Sequence, residues 1–317
     1  MSGPEWLPRR EAGRGERGTA IGYRDAVTSP ARVGGTAFVL GGGGKWGAVQ
    51  VGMLRALTER GIRPDVVLGC SIGAINGAAF SADPSPTGVD RLEDFWRTRA
   101  ATVFAGDTLP QRAKAMLGRK PSLYDNDGLR HAIGDVLPVR RFADLPVHFE
   151  CVAACIDDAS EHWFTGGTLV DALLASSAIP GLLPPVTVGD RHYYDGGLVN
   201  SIPLDRAALL GCTDVYVLQV GRIEQDLGVP DRLYQAPLVA FEIARRHRFT
   251  TFRRDWLGHD RGEGTTVHVL PSGHRLAMDD RRQLQWRRTD GTEALIRGAY
   301  EASAAYLDGI GTAGGPD

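Results

Sequence analysis

Apolar residues in this chain follow two rhythms that take turns. TAFVLG, from Thr36, is a continuous apolar run, whereas in the next segment, GAVQVGMLRALTERG, Val49, Met53, Leu54 and Leu57 recur at helical spacing. A short unbroken run is the pattern of a buried strand, and the 3.6-residue period is that of a helix with one apolar side. Gly61 supplies the helix stop. The pair of rhythms then repeats, with VVLGC as strand and SIGAINGAAFSA as helix. A strand–helix–strand–helix unit predicts a parallel sheet, because two parallel neighbours need a crossover long enough to hold a helix.

Between residues 83 and 147 the alternation lapses into helical pieces, VDRLEDFWRTRA and NDGLRHAIGDVL, joined by proline-bearing loops. This segment reads as a helical insertion with the makings of a lid. The sheet resumes with VHFECVAACI and EHWFTGG as an antiparallel pair, followed by the helix LVDALLASSAI, which Pro180 stops. After it come the strand HYYDGG, the helix PLDRAALLG, the strand DVYVLQVG, a long basic helical stretch, the strand TTVHVLPS and a C-terminal helix through EALIRGAYEASAAYL. Residues 1–33 are rich in Arg, Glu and Gly without an apolar period, and 310–317 are similarly featureless, so both ends are expected to be disordered. What remains, 34–309, is expected to be a single domain, a three-layer α/β/α sandwich around a mainly parallel central sheet.

Composition narrows the function classes a little. At 317 residues, 43% apolar and 23% charged, the chain has the make-up of an ordinary globular protein, and a net charge of −2 argues neither for nucleic acid nor for general attraction to an anionic membrane. No stretch approaches the roughly 18 unbroken apolar residues that span a bilayer, and the first residues lack the apolar core of a secretory signal, so a cytoplasmic protein is expected. The four cysteines fit that compartment. Cys151 and Cys155 fall on one strand about 13 Å apart, too far to bridge, and none of the four has the paired spacing of a zinc site.

Candidate chemistry begins at residues 69–73, GCSIG, where the second strand turns into the second helix. That spelling fits the nucleophile elbow GxSxG, in which a serine is thrust out on a sharp turn and its neighbours two positions away must be small. Gly69 and Gly73 meet that need, and Ser71 sits at a helix N-terminus, where unpaired N–H groups ease the development of negative charge. The four glycines at 41–44 raise the question of what their backbone holds. Gly42 to Gly47 satisfy GxGxxG, but a dinucleotide site wants an acidic residue at the end of the second strand, where this chain has Cys70 and Ser71. A phosphate loop ending in GK[ST] is excluded because Lys45 is followed by Trp46. What is left is a fan of amides beside the elbow, suited to an oxyanion hole. Asp195, closing a strand before Gly196 and Gly197, is placed to act as base, provided that burial raises it above its ordinary pKa near 4.

GGGKWGAVQVGMLRAL, GCSIGAINGAAF, LVDALLASSAIPGLLPPV and YYDGGLVNSIPL, in that order, resemble the patatin-like phospholipase family over nearly the whole folded chain. The resemblance implies a lipid acyl hydrolase with a Ser–Asp dyad, using no metal, cofactor or histidine. Carried over by position, it makes Ser71 the nucleophile, Asp195 the base, and Gly42, Gly43 and Gly44 the oxyanion hole. Gly69 and Gly73 form the elbow, and Lys45, Gly47, Gly196 and Gly197 complete the motifs. The family usually carries Arg or Lys directly before the last glycine of its loop; here Trp46 stands there, with the cation one place early at Lys45.

Two other readings stay open. One is a Ser–Asp–His triad completed by His274, since His192 faces away from Asp195 by strand parity and His268 lies mid-strand. The other is a non-catalytic lipid-binding module in which Trp46 plugs the hole. The expected partner is a lipid or ester substrate, not nucleic acid. The basic stretches QRAKAMLGRK, with Arg112, Lys114 and Lys120, and ARRHRFTTFRRD add peripheral membrane contact as a further expectation.

Overall fold

The run Thr36–Leu40 forms β1, and its neighbours on either side, β2 (Val66–Cys70) and β7 (Asp214–Leu218), both lie parallel to it. β8 (Thr266–Val269) continues the parallel set beyond β7, and β3 (His148–Cys155) continues it beyond β2. At β3 the sheet changes character. β4 (Ser160–Phe164) and β6 (Arg191–Asp195) pair with it antiparallel, and the short β5 (Val186–Val188) adds to β6 in the same sense. These assignments come from a computed structural model in which the described residues are 32–98, 121–220, 223, 227–231, 235–257, 264–274 and 291–313.

Among the described residues the helices are α1 (Ala48–Glu59), α2 (Ile72–Ala82), α3 (Pro86–Thr98), α4 (Asp127–Val136), α5 (Leu169–Ser176), α6 (Leu204–Leu209), α7 (Gln235–Leu257) and α8 (Thr292–Ala313). They cover both faces of the sheet, because successive strand residues point to opposite sides. Phe38 and Leu40 join one core with residues of α1, α2, α3, α5 and α8. Ala37 and Val39 join another with Leu204 and Ala207 of α6 and Phe249 of α7. Two cores on one sheet make three layers, as the rhythms predict.

The register of β3 positions the site. Val152 pairs with Cys70 of β2 and with Trp163 of β4, while Ala153 pairs with His162 of β4 and with Asp195 of β6. A strand residue has only two edges, so β2 and β6 share one edge of β3 and β4 has the other. β2 runs up that edge and β6 runs down it. Their C-terminal ends therefore meet over Val152 and Ala153, which sets the residue after β2, Ser71, against the last residue of β6, Asp195.

Two boundaries differ from expectation. α5 ends at Ser176, well short of Pro180, because the chain turns at Ser177 and Ala178 to let the Ala178 carbonyl accept from the Asp195 amide at 2.9 Å. α8 continues to Ala313, into the segment read as a tail: Leu307 is buried and Ile310 packs on the core, and tertiary packing outweighs weak local propensity. The rest of the tail at 314–317, residues 1–31 of the expected leader, and residues 99–120 of the insertion, with Arg112, Lys114 and Lys120, lie outside the described residues.

Candidate active site

Ser71 has φ 55 and ψ −124, the strand-to-helix turn expected of an elbow and a conformation that few non-glycine residues adopt. Holding a residue there costs of order 1–3 kcal/mol, so the surroundings must enforce it. They do so by contact. A Cβ on Gly69 would lie 2.5 Å from the Ala74 Cα, and one on Gly73 would lie 2.2 Å from the Leu40 carbonyl oxygen. The Ser71 amide donates to the Ser176 hydroxyl at 2.9 Å, tying the elbow to the end of α5. Although Ser71 is the N-cap of α2, its side chain caps nothing. Its Oγ instead donates to Asp195 Oδ2 at 2.6 Å.

Asp195 is 1% exposed and Ser71 6%. The second carboxylate oxygen, Oδ1, accepts from the Gly197 amide at 2.7 Å, so the side chain is held from both ends. Gly196 allows this approach, since a Cβ there would lie 2.2 Å from the Val152 carbonyl oxygen. Burial pushes the Asp195 carboxyl up to about 6, against the opposing pull of the Ser71 hydroxyl, the Gly197 amide and the Arg245 charge. A carboxylate so placed is a far better proton acceptor than an exposed one, and it already holds the hydroxyl it would deprotonate.

The glycine loop is clamped peptide by peptide. The Gly41 carbonyl accepts from Gln50 Nε2 at 2.8 Å, the Gly42 amide donates to the Ser201 carbonyl at 3.0 Å, and the Gly42 carbonyl accepts from Arg245 Nη1. Among the described residues the amides of Gly43 and Gly44 have no acceptor. The Gly42 N–H is thus engaged by Ser201, whereas among the described residues those of Gly43 and Gly44 are not. Gly42 nevertheless lies against the nucleophile, for a Cβ on it would be 3.3 Å from the Ser71 Cβ. A Cβ on Gly43 would strike Val220 at 2.4 Å, and Gly44 has a positive φ of 59 that suits glycine.

Several residues that pattern reading passed over support this loop. Gln50 and Asn76 are fully buried. Asn76 Nδ2 donates to Gln50 Oε1 at 2.8 Å and to the Gly47 carbonyl at 3.0 Å, and the Trp96 indole donates to Asn76 Oδ1 at 2.9 Å. A polar residue in the apolar stripe of α1 is the signal that could have singled out Gln50. For Arg245, on α7 and 203 residues from its carbonyl partner, no local signal exists.

The remaining candidates sit elsewhere. Trp46 packs in the apolar core, with the Lys45 ammonium 4.9 Å from its ring centroid. His192 pairs with Asp157, and His268 stacks on Tyr216. His274 turns to α8, its Nε2 3.2 Å from the Ala294 carbonyl. Among the described residues no histidine bonds to Ser71 or Asp195. The basic stretch at 244–255 is not one solvated face, since Arg245 and Phe249 are buried. No helix among the described residues is long and apolar enough to cross a membrane.

A family model described as patatin-like phospholipase matches residues 38–208. A patatin-like phospholipase domain-containing protein of Caenorhabditis elegans is 34% identical over 190 residues, 59% of this chain and 14% of its own. Patatin-like phospholipase domain-containing protein 7 of Mus musculus is 32% identical over 197 residues, 60% of this chain and 14% of its own. This chain thus matches a small fraction of the length of these relatives. Among solved structures, VipD from Legionella pneumophila aligns over 88% of this chain and 67% of its own at a TM-score of 0.42 and 13% identity, a likeness too loose to bear on function.

Proposed function

Because this chain belongs to the patatin-like phospholipase family, we propose that it is a lipid acyl hydrolase in which Ser71 and Asp195 form a catalytic dyad. The single observation that carries this reading is the 2.6 Å hydrogen bond from the Ser71 hydroxyl to a buried carboxylate whose pKa stands near 6. Ser71 Oγ attacks the ester carbonyl carbon while its proton passes to Asp195. The carbonyl oxygen takes up the charge and is met by the amides of Gly43 and Gly44. When the tetrahedral species collapses, the carbon–oxygen bond to the alcohol breaks, and the departing alkoxide takes the proton from Asp195. The acyl group is now on Ser71. Water then repeats the sequence, giving its proton to Asp195 and releasing the carboxylic acid as Ser71 recovers its hydrogen.

The substrate class follows from the family and from the chemistry of a serine with an amide-lined hole: a carboxylic ester, of a lipid in the first instance. Docking at a lipid surface belongs to the same proposal. The test uses p-nitrophenyl esters of graded chain length, phospholipid vesicles and a fluorophosphonate probe. The wild-type chain is expected to hydrolyse esters and to be labelled at Ser71, with Ser71→Ala losing both by at least about 1,000-fold. An unlabelled wild-type serine would favour a lipid-binding module without catalysis, and loss of activity in His274→Ala would restore the triad.

A further inference from the structure

We propose that Arg245 is a positioning residue for the oxyanion loop, holding the Gly42–Gly43 peptide so that the Gly43 amide faces the reacting carbonyl. This inference rests on the hydrolase reading above.

The argument is one of peptide geometry. A trans peptide is planar, and its C=O and N–H point in opposite directions. Whatever grips the Gly42 carbonyl therefore aims the Gly43 amide the other way. The preceding peptide is already gripped at both ends, by Gln50 on the Gly41 carbonyl and by the Ser201 carbonyl on the Gly42 amide. Among the described residues, the Gly42–Gly43 peptide has only the Arg245 guanidinium on its carbonyl. Two glycines flank it, so no Cβ restrains its rotation, and without that bond the plane would sample other orientations.

The arginine is suited to the task. Its side chain is 2% exposed, and Glu242 lies 3.4 Å from its Nε on the same turn of α7, which offsets the cost of burying the charge. A guanidinium stays ionised, and a charge-assisted bond to a carbonyl is roughly twice as strong as a neutral one. Three residues on, Arg248 donates to the Val199 carbonyl at 3.1 Å and pairs with Asp205. α7 is thereby fastened to the segment that follows Asp195 as well as to the glycine loop. A buried cation directed at one backbone oxygen does more than fill space.

The experiment measures kcat and KM for p-nitrophenyl butyrate with the full chain, for wild type, Arg245→Ala, Arg245→Gln and Ser71→Ala. Arg245→Ala is expected to lose about 100-fold in kcat with KM changed by less than about twofold, as for a lost oxyanion donor, and millimolar guanidinium chloride is expected to restore about a tenth of the loss. Arg245→Gln, which keeps an N–H for the Gly42 carbonyl, is expected to lie between the two and decides the matter should Arg245→Ala fail to fold. A kcat within about threefold of wild type in the variant that folds, or a loss confined to KM, overturns the inference while leaving the dyad intact. Full activity in Ser71→Ala overturns the hydrolase reading and this inference with it.

Discussion

At the scale of single residues the site turns on one carboxyl group. Asp195 is recognisable in the sequence only as the end of a strand before two glycines, a context shared with many turn residues, and its chemistry comes from burial. Desolvation raises it to about 6, while the Ser71 hydroxyl, the Gly197 amide and the Arg245 charge pull it down. In the proposed dyad the base form of Asp195 is the ionised one, so hydrolysis is expected to fall as pH drops through 6, by about tenfold for each pH unit below it. A profile of kcat/KM on a soluble ester checks this; an acid limb near pH 4 would mean that the carboxyl works in water. Ser71 is far more legible, because GxSxG spells out the steric demand of its turn. That the Gly42 amide donates to the Ser201 carbonyl is not legible in the sequence. Nothing in a run of four glycines says which N–H will find a carbonyl across the fold, and Ser201 is 159 positions away.

At the scale of elements the decisive event is the meeting of β2 and β6 on one edge of β3. The strands themselves are legible from their apolar runs, and so are α1 and α2 from their period. The meeting of β2 and β6 is not, because β6 is separated from β2 by more than a hundred residues. The elbow depends on how closely α2 approaches β1, which sets two glycines of the helix apart. A Cβ on Gly73 would lie 2.2 Å from a backbone oxygen of Leu40, whereas one on Gly77 would meet side-chain carbons of Val67 and Phe149 at 3.0 and 3.2 Å. Backbone cannot step aside as a side chain can. Gly73→Ala is expected to cost about 3 kcal/mol or more and to abolish hydrolysis; Gly77→Ala is expected to cost about 1 kcal/mol and to leave most of the activity. Chemical denaturation and ester hydrolysis on the two variants check the contrast, and equal effects would mean that α2 can shift as a body.

At the scale of the whole molecule, the site is held at the expense of stability. The folded state raises the Asp195 pKa from its ordinary 3.8 to about 6. A raised carboxyl favours the folded state only while it is protonated, and that advantage is lost as pH rises from about 4 through 6. At neutral pH the buried charge costs on the order of 3 kcal/mol. Asp195→Asn, whose amide can still accept from the Gly197 N–H and reach Ser71, is expected to be inactive yet more stable than wild type at pH 7 by up to about that amount, with the difference gone below about pH 4. Urea melts at the two pH values check it, and a variant less stable at pH 7 would show that the carboxylate is better solvated than its burial implies. The order of strands and helices apart from the short β5, the three-layer class, the elbow and the family motifs were determined by the sequence alone, because period, glycine placement and turn chemistry act between residues a few positions apart. The end-to-end meeting of β2 and β6, the pKa of Asp195, the engagement of the Gly42 amide by Ser201, and the reach of Arg245 to the loop were decided only by the tertiary structure. Burial and long-range hydrogen bonding are properties of groups that the chain brings together, and they have no expression until it has folded.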